Sequence, residues 1–236
     1  VSKEWEVKDS QDVISLAEAI HCSGGTFEVH WKGEVTVSQT VYVVQGTILH
    51  VYGDDSSAAV ASGGGTSRIF AVQNASLHVS DLLFSEGFGY FGGAIAAKSS
   101  TLTFQRTDFW NNRASLFGGA LHARGGSSVS FDDTTFANNS ADLAGGALFV
   151  ARASHVSWNG ETTFEGNSAT NAGGAMHALD SANLSWSGRT IFSSNRAGAG
   201  GALSLWDVRE VNLGGNTSFS TNVADTASGG AMYLGS

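Results

Sequence analysis

The chain reads as an all-β protein: a right-handed parallel β-helix, a solenoid of about eight coils, with a short N-terminal amphipathic cap helix. Three recurrences carry that reading. A Gly-Gly-Ala triplet followed by Ile, Leu or Met begins at Gly92, Gly118, Gly145, Gly173, Gly200 and Gly229, at steps of 26, 27, 28, 27 and 29 residues. A phenylalanine with an asparagine three residues later precedes five of the six triplets, and a degraded copy, Phe84 to Gly87, precedes the first. Between each triplet and the next phenylalanine lies a run such as TLTF, SVSF, HVSW, NLSW or EVNL that alternates apolar and polar.

Taken from the N-terminus, residues 1–83 form the cap and first coils, and residues 84–236 form the repeat coils of the same β-helix. Within SQDVISLAEAI a Ser/Asp capping signal precedes Val13, Leu16, Ala17 and Ile20, which share one helical face. Such a helix suits the end of a solenoid, where apolar interior and strand edges otherwise meet water. Strand-like GTFEVHW, GEVTVS and TVYVVQGTILHVYG follow, and the polar stretch of residues 53–67 reads as a loop on the side of an early coil.

Each repeat then reads as three short strands separated by turns. The alternation has the period of a half-buried strand, no helical stripe is present, and a unit this small must stack on its neighbours to bury its apolar face. A propeller blade needs about 40 residues and four strands, and the leucine-rich pattern is missing. Phe109, Phe136, Phe164, Phe192 and Phe219 are expected to stack inward, one per coil. Asn112, Asn139, Asn167, Asn195 and Asn222 are expected at a turn, where an amide bonds turn backbone and its counterpart on the next coil. The chain stops at GGAMYLGS, within a repeat, and is expected to be a fragment of a longer array or to meet a partner there.

Net charge −9 and pI near 5.1 argue against nucleic-acid binding, which calls for a basic face. No apolar run approaches the roughly 18–20 residues that span a bilayer, so this segment is expected not to insert. Cys22 is the single cysteine; it makes no internal disulfide and is expected to be a buried structural thiol.

The paired GGA[I/L/M] and FxxN signatures resemble the repeats of the polymorphic outer membrane proteins, the chlamydial autotransporter-type surface proteins, over residues 84–234. Residues 1–83 are similar only to the general opening of pectin-lyase-like β-helices. The resemblance implies an extracellular or cell-surface module that adheres to a glycan or protein receptor. On that reading the chain is not an enzyme and needs no cofactor or metal. The rival readings are a polysaccharide lyase, hydrolase or epimerase on the same scaffold, and a structural protein that self-associates through its ends.

Specificity is expected where the repeat varies. The outward positions of the Gly-Gly-Ala strand read Ala96, His122, Phe149, His177, Ser204 and Tyr233, flanked by Lys98, Arg124, Ala151, Leu179 and Trp206. From these, His122, Phe149, His177, Trp206 and Tyr233 form the candidate ligand face, with Trp206 placed to stack on a sugar ring. Chance surface exposure, or an edge covered by a loop, is the plainer alternative. Asp180 and Asp207, one coil apart near a turn, are the nearest approach to a carboxylate pair, and solvated turn residues are the simpler account. Asn74, Asn138, Asn183 and Asn216 head N-x-S/T sequons that matter only in a eukaryotic secretory pathway.

Overall fold

The residues 128–152 show how one coil is made. Val129 and Phe131 point inward, then the alternation skips a step and Thr134 and Phe136 continue it. The skip falls at Asp133, whose φ of 52° turns the strand Ser128–Ala137 at a corner. Further left-handed residues follow at Asn138 (φ 56°), Gly145 (φ 66°) and Arg152 (φ 60°), so four corners close the coil. Asn and Asp tolerate this conformation better than most side chains, which explains their frequency at these corners. In the glycine pair the two residues do different work. Gly145 supplies positive φ, whereas a side chain on Gly146 would run into the carbonyl oxygens of Gly174 and Ser168 on the next coil.

Residues 2–54, 58–152, 154–180, 182–226 and 229–235 are described by the computed structural model. Among them the coils stack in parallel, residue on equivalent residue, into three sheets of fourteen, six and eight strands. The largest runs from Lys3–Val7 to Glu210–Leu213 and includes the phenylalanine strands; the smallest is made of short segments such as Ser140–Ala141. The third, the glycine sheet, runs from Val41–Val44 through Leu148–Ala151 to Met232–Gly235, and its eight strands mark eight coils. At the N-terminus the helix α1, Ser10–Ser23, packs against Lys3–Val7 and Val41–Val44 with Val13, Leu16 and Ile20 buried. Its cap is Asp9, whose carboxylate accepts from the backbone N–H groups of Gln11 and Asp12 at 2.8 and 3.0 Å.

Inside, the five phenylalanines and Phe84 form one stack with ring centroids 4.7–5.1 Å apart. Phe104, Phe131, Trp158 and Trp186 form a second beside it. The asparagines form a ladder that uses every valence of its inner amides. Asn167 Oδ1 accepts from the backbone N–H and the Nδ2 of Asn139, both at 3.0 Å. Its Nδ2 donates to the carbonyl of Phe136 (2.9 Å) on one side and to Asn195 Oδ1 (3.0 Å) on the other. Asn112, Asn139, Asn167 and Asn195 are fully buried, and Asn222 is half-buried. At the first copy Gly87 keeps the backbone half of the pattern, its N–H donating to Asn112 Oδ1 as the asparagine N–H groups do on later coils, and supplies no side-chain amide. The glycine is required there, because a Cβ would meet the backbone of Gly93 and Ala94.

Several expectations are corrected. The stretch 53–67 is not wholly a loop: Val60–Ser62 pairs with Glu34–Thr36 and Leu83–Ser85 because Ala61 fills an inward position. Residues 55–57 of it lie outside the described residues. The alternating run and the phenylalanine strand, separate in the sequence reading, fuse into single bent strands at Thr101–Trp110, Ser128–Ala137 and His155–Glu165. Cys22 is exposed rather than buried, since it lies on the last turn of α1 off the Val13–Leu16–Ile20 face. A buried column of Thr107, Thr134, Thr162 and Thr190, two residues before each phenylalanine, went unread although TxF recurs as regularly as FxxN.

Two stability outcomes follow from the corner ladder. Asn167→Ala strands the Asn139 N–H and Nδ2 and the Phe136 carbonyl; at about 1–3 kcal/mol for each buried group, it is expected to lose ~3 kcal/mol or more by denaturant unfolding. Asn222→Ala, at a half-buried position, is expected to lose roughly half as much or less. Gly87→Asn restores the FxxN consensus, yet it is expected to lower the unfolding midpoint, by about 1–3 kcal/mol of overpacking.

Candidate functional site

The register places the outward column of the glycine sheet as the sequence suggested: Ala96, His122, Phe149, His177, Ser204 and Tyr233 stand on successive coils. The flanking column Lys98, Arg124, Ala151, Leu179, Trp206 is in register too. Exposure is where the expectation fails. His122 and Phe149 are each 5% exposed, His177 is 8% exposed, and Ser204 is buried. The chain that leads into each glycine pair folds over them. Phe117, Ala144 and Ala172 bridge to one another from coil to coil and pack on Phe149, Ala151 and Leu179 as a small second core.

Under this roof the rings alternate, with His122 5.1 Å from Phe149 and Phe149 5.4 Å from His177. Phe117 lies 4.5 Å above Phe149. Burial, and then the nearby guanidinium charges of Arg124, Arg68 and Arg152, push the His122 imidazole down to about 3. Burial pushes His177 down to about 4, against a backbone hydrogen bond to Ser204. Both rings are therefore neutral packing groups at ordinary pH. Of the five candidate ligand residues, only Trp206 (39% exposed) and Tyr233 stay accessible, and their rings meet tilted by 38° with centroids 5.5 Å apart.

Toward the N-terminus the same column opens. Ahead of His122 stand Ala96, Ala71 and Tyr42, and the two alanines leave a cavity of about 190 Å³ bounded by Tyr42, Phe91 and His122. Arg68, Lys98 and Arg124 rim it. Arg68 Nε donates to the carbonyls of Phe91 (3.1 Å) and Gly92 (3.0 Å), and the Arg124 guanidinium lies 5.9 Å from the Phe91 centroid. The sequence reading named Lys98, Arg124 and His122 but missed Tyr42, Arg68 and Phe91, which lie outside the GGA[I/L/M] and FxxN signatures.

The remaining candidates take structural places. Asp180 (φ 59°) and Asp207 (φ 47°) are exposed residues at one left-handed corner on successive coils, the corner that Arg152 fills in the coil before. No cluster of three or more His, Cys, Asp or Glu side chains suited to a metal occurs among the described residues. Asn74, Asn138 and Asn216 are exposed, the first two at corners with positive φ, and Asn183 is half-buried in the strand Asn183–Trp186. On the largest sheet an outward row joins His50 to His78 at 4.8 Å, and His78 Nδ1 sits 2.6 Å from Thr103 Oγ1.

The buried imidazoles set a pH dependence. Each has a folded-state pKa below its unfolded value of 6.5, so the unfolded chain binds more protons once the pH falls below about 6.5. The stabilisation is full above that value and is lost as the pH falls toward 4 and then 3. Between about pH 7 and pH 4.5, the wild-type unfolding midpoint is expected to fall further than that of His122→Phe or His177→Phe, each of which keeps an aromatic ring and removes one of the two titrating groups.

Comparison with known families gives a match over residues 133–151 to the Chlamydia polymorphic membrane protein (Chlamydia_PMP) repeat. No curated protein and no solved structure matches the chain significantly. The matched span begins at the Asp133 corner and ends with the glycine-sheet strand Leu148–Ala151. It therefore contains the inward Phe136, the amide ladder residue Asn139 and the glycine pair, the positions where the coil backbone dictates the side chain. The same positions recur in register on the coils before and after it, so the chain is a parallel β-helix in which one coil is similar to the polymorphic membrane protein repeat and its neighbours repeat that coil's fixed positions.

Proposed function

We propose that this β-helix is a non-enzymatic surface module that adheres to a glycan or protein partner through side chains on one outer face. The observation that carries the reading is the division of labour among positions. Corners, glycines and inward residues are committed to stacking, and the side chains left over form shallow strips along an axis of about 40 Å, at one strand spacing per coil. Strips of this shape suit extended contact, whereas general acid–base chemistry on a polymer needs partners converging on one bond. The polymorphic membrane protein repeat supports display at a bacterial outer membrane or cell surface.

The test is retention without turnover. The full chain, fixed to beads, is expected to hold cells or glycan-coated surfaces and to leave polysaccharide probes intact over many hours. New reducing ends or unsaturated sugars from those probes would instead establish the enzymatic alternative.

A further inference from the structure

The open end of the glycine-sheet column has a chemical character that the rest of the surface lacks. The chain has 21 Asp and Glu against 12 Lys and Arg. Yet the two outward columns here, Tyr42–Ala71–Ala96–His122 and Val44–Gln73–Lys98–Arg124, contain no acid. Arg68 adds a third cation from the adjoining turn, held in place by the Phe91 and Gly92 carbonyls. None of Arg68, Lys98 and Arg124 forms an ion pair among the described residues, unlike Arg113, Arg189 and Arg196, which pair with Asp142, Glu161 and Asp225. Three unpaired cations around an aromatic-walled cavity form an electrostatic well for a negative group.

We propose that this cleft, bounded by Tyr42, Arg68, Lys98, His122 and Arg124, binds the carboxylate or sulfate of an acidic sugar. The inference rests on the adhesion reading and names its ligand class. Its dimensions favour a sugar over an acidic peptide. Lys98 and Arg124 are ladder neighbours, so their stems are about 4.8 Å apart along the axis. That pitch is close to the length of one pyranose residue, whereas same-side groups of an extended peptide repeat at about 6.6–6.8 Å. The strands on both sides are already paired, so the cleft offers a peptide no backbone edge to extend. What it offers is an open aromatic ring, Tyr42 at 59% exposure, for the apolar face of a sugar, with cations beside it for the acid. The neutral His122 closes the far end and adds a hydrogen-bonding nitrogen without charge.

The experiment is calorimetric titration of the full chain with four probes: a uronic-acid hexasaccharide, its carboxyl-reduced form, a sulfated hexasaccharide, and an acidic hexapeptide. A Lys98→Gln/Arg124→Gln variant is compared with Arg113→Gln/Arg189→Gln, which removes the same charge elsewhere, and unfolding midpoints confirm that both fold. The wild type is expected to bind at least one acidic sugar and neither the reduced form nor the peptide; which sugar binds tells carboxylate from sulfate. The cleft variant is expected to lose at least about tenfold in affinity (1.4 kcal/mol), and the control less than about twofold. Absence of binding by both acidic sugars at millimolar concentration, equal losses in the two variants, or equal binding of the peptide overturns the assignment. Cell retention measured on the same proteins separates the two readings. If retention survives while no acidic sugar binds, the sugar site falls and adhesion stands; if sugar binds but nothing is retained, adhesion falls and the site stands.

Discussion

From Asn112 onward each repeat coil depends on a side-chain amide standing where the backbone turns. At the corner after each phenylalanine the chain leaves one sheet for another, and the backbone N–H groups there have no strand to pair with. Asn139 solves this by accepting from the Asn112 N–H and donating to the Phe109 carbonyl, while its own N–H is taken by Asn167. The bonds run between coils, so the arrangement works only if all coils turn at the same place. One residue of slippage would bury unpaired polar groups on both sides and move the phenylalanines out of their stack. The amide ladder is therefore a register lock as well as a set of hydrogen bonds.

That lock explains why the repeat tolerates so much elsewhere. The step between glycine pairs varies from 26 to 29 residues, and the variation is absorbed in turns. Between Phe131 and Phe136 on one coil and Trp158 and Phe164 on the next, one residue is added, and the register shifts at that corner alone. The inner alternating run accepts Phe104, Phe131, Trp158 or Trp186, because stacked rings of different size still fill the same slot. The fixed points are the corner amide and the glycine pair, where a neighbouring backbone leaves no room to vary. A family pattern drawn from such a chain is accordingly short and falls on residues 133–151.

The sequence was informative where physics repeats and silent where it does not. Phe109, Asn139 and Gly145 could be placed because each obeys a constraint that recurs at one period, and the inward direction of Trp158 and Trp186 followed from their register with Phe131. The fusion of two runs into one bent strand could not be read, since it depends on whether a single residue such as Arg106 or Asp133 turns left-handed without breaking the ladder. Outward direction was legible for His122, Phe149 and His177, but exposure was not. Period-two reasoning reports which side of a strand a residue takes, and it carries no information about what later chain lies across that side.

The roof over those residues and the cleft beside them have a common origin. The covering chain enters each glycine pair, so it exists only where the pair exists. Its ladder begins with Phe91, stacks on Phe117 at 6.0 Å, and continues through Ala144 and Ala172. The strands Val41–Val44 and Phe70–Gln73 belong to the same sheet but follow no Gly-Gly-Ala triplet, and Arg68 rather than an apolar residue approaches the second of them. The repeat thus seals its own outward column and spends His122, Phe149 and His177 on packing. Between the unrepeated coils and the first repeat coil that column stays open, lined by Ala71 and Ala96 and rimmed by cations. Variable residues inside a repeat are therefore poor guides to its binding face, because the repeat can fold over them; the better guide is the junction where the repeat begins and its covering chain is missing.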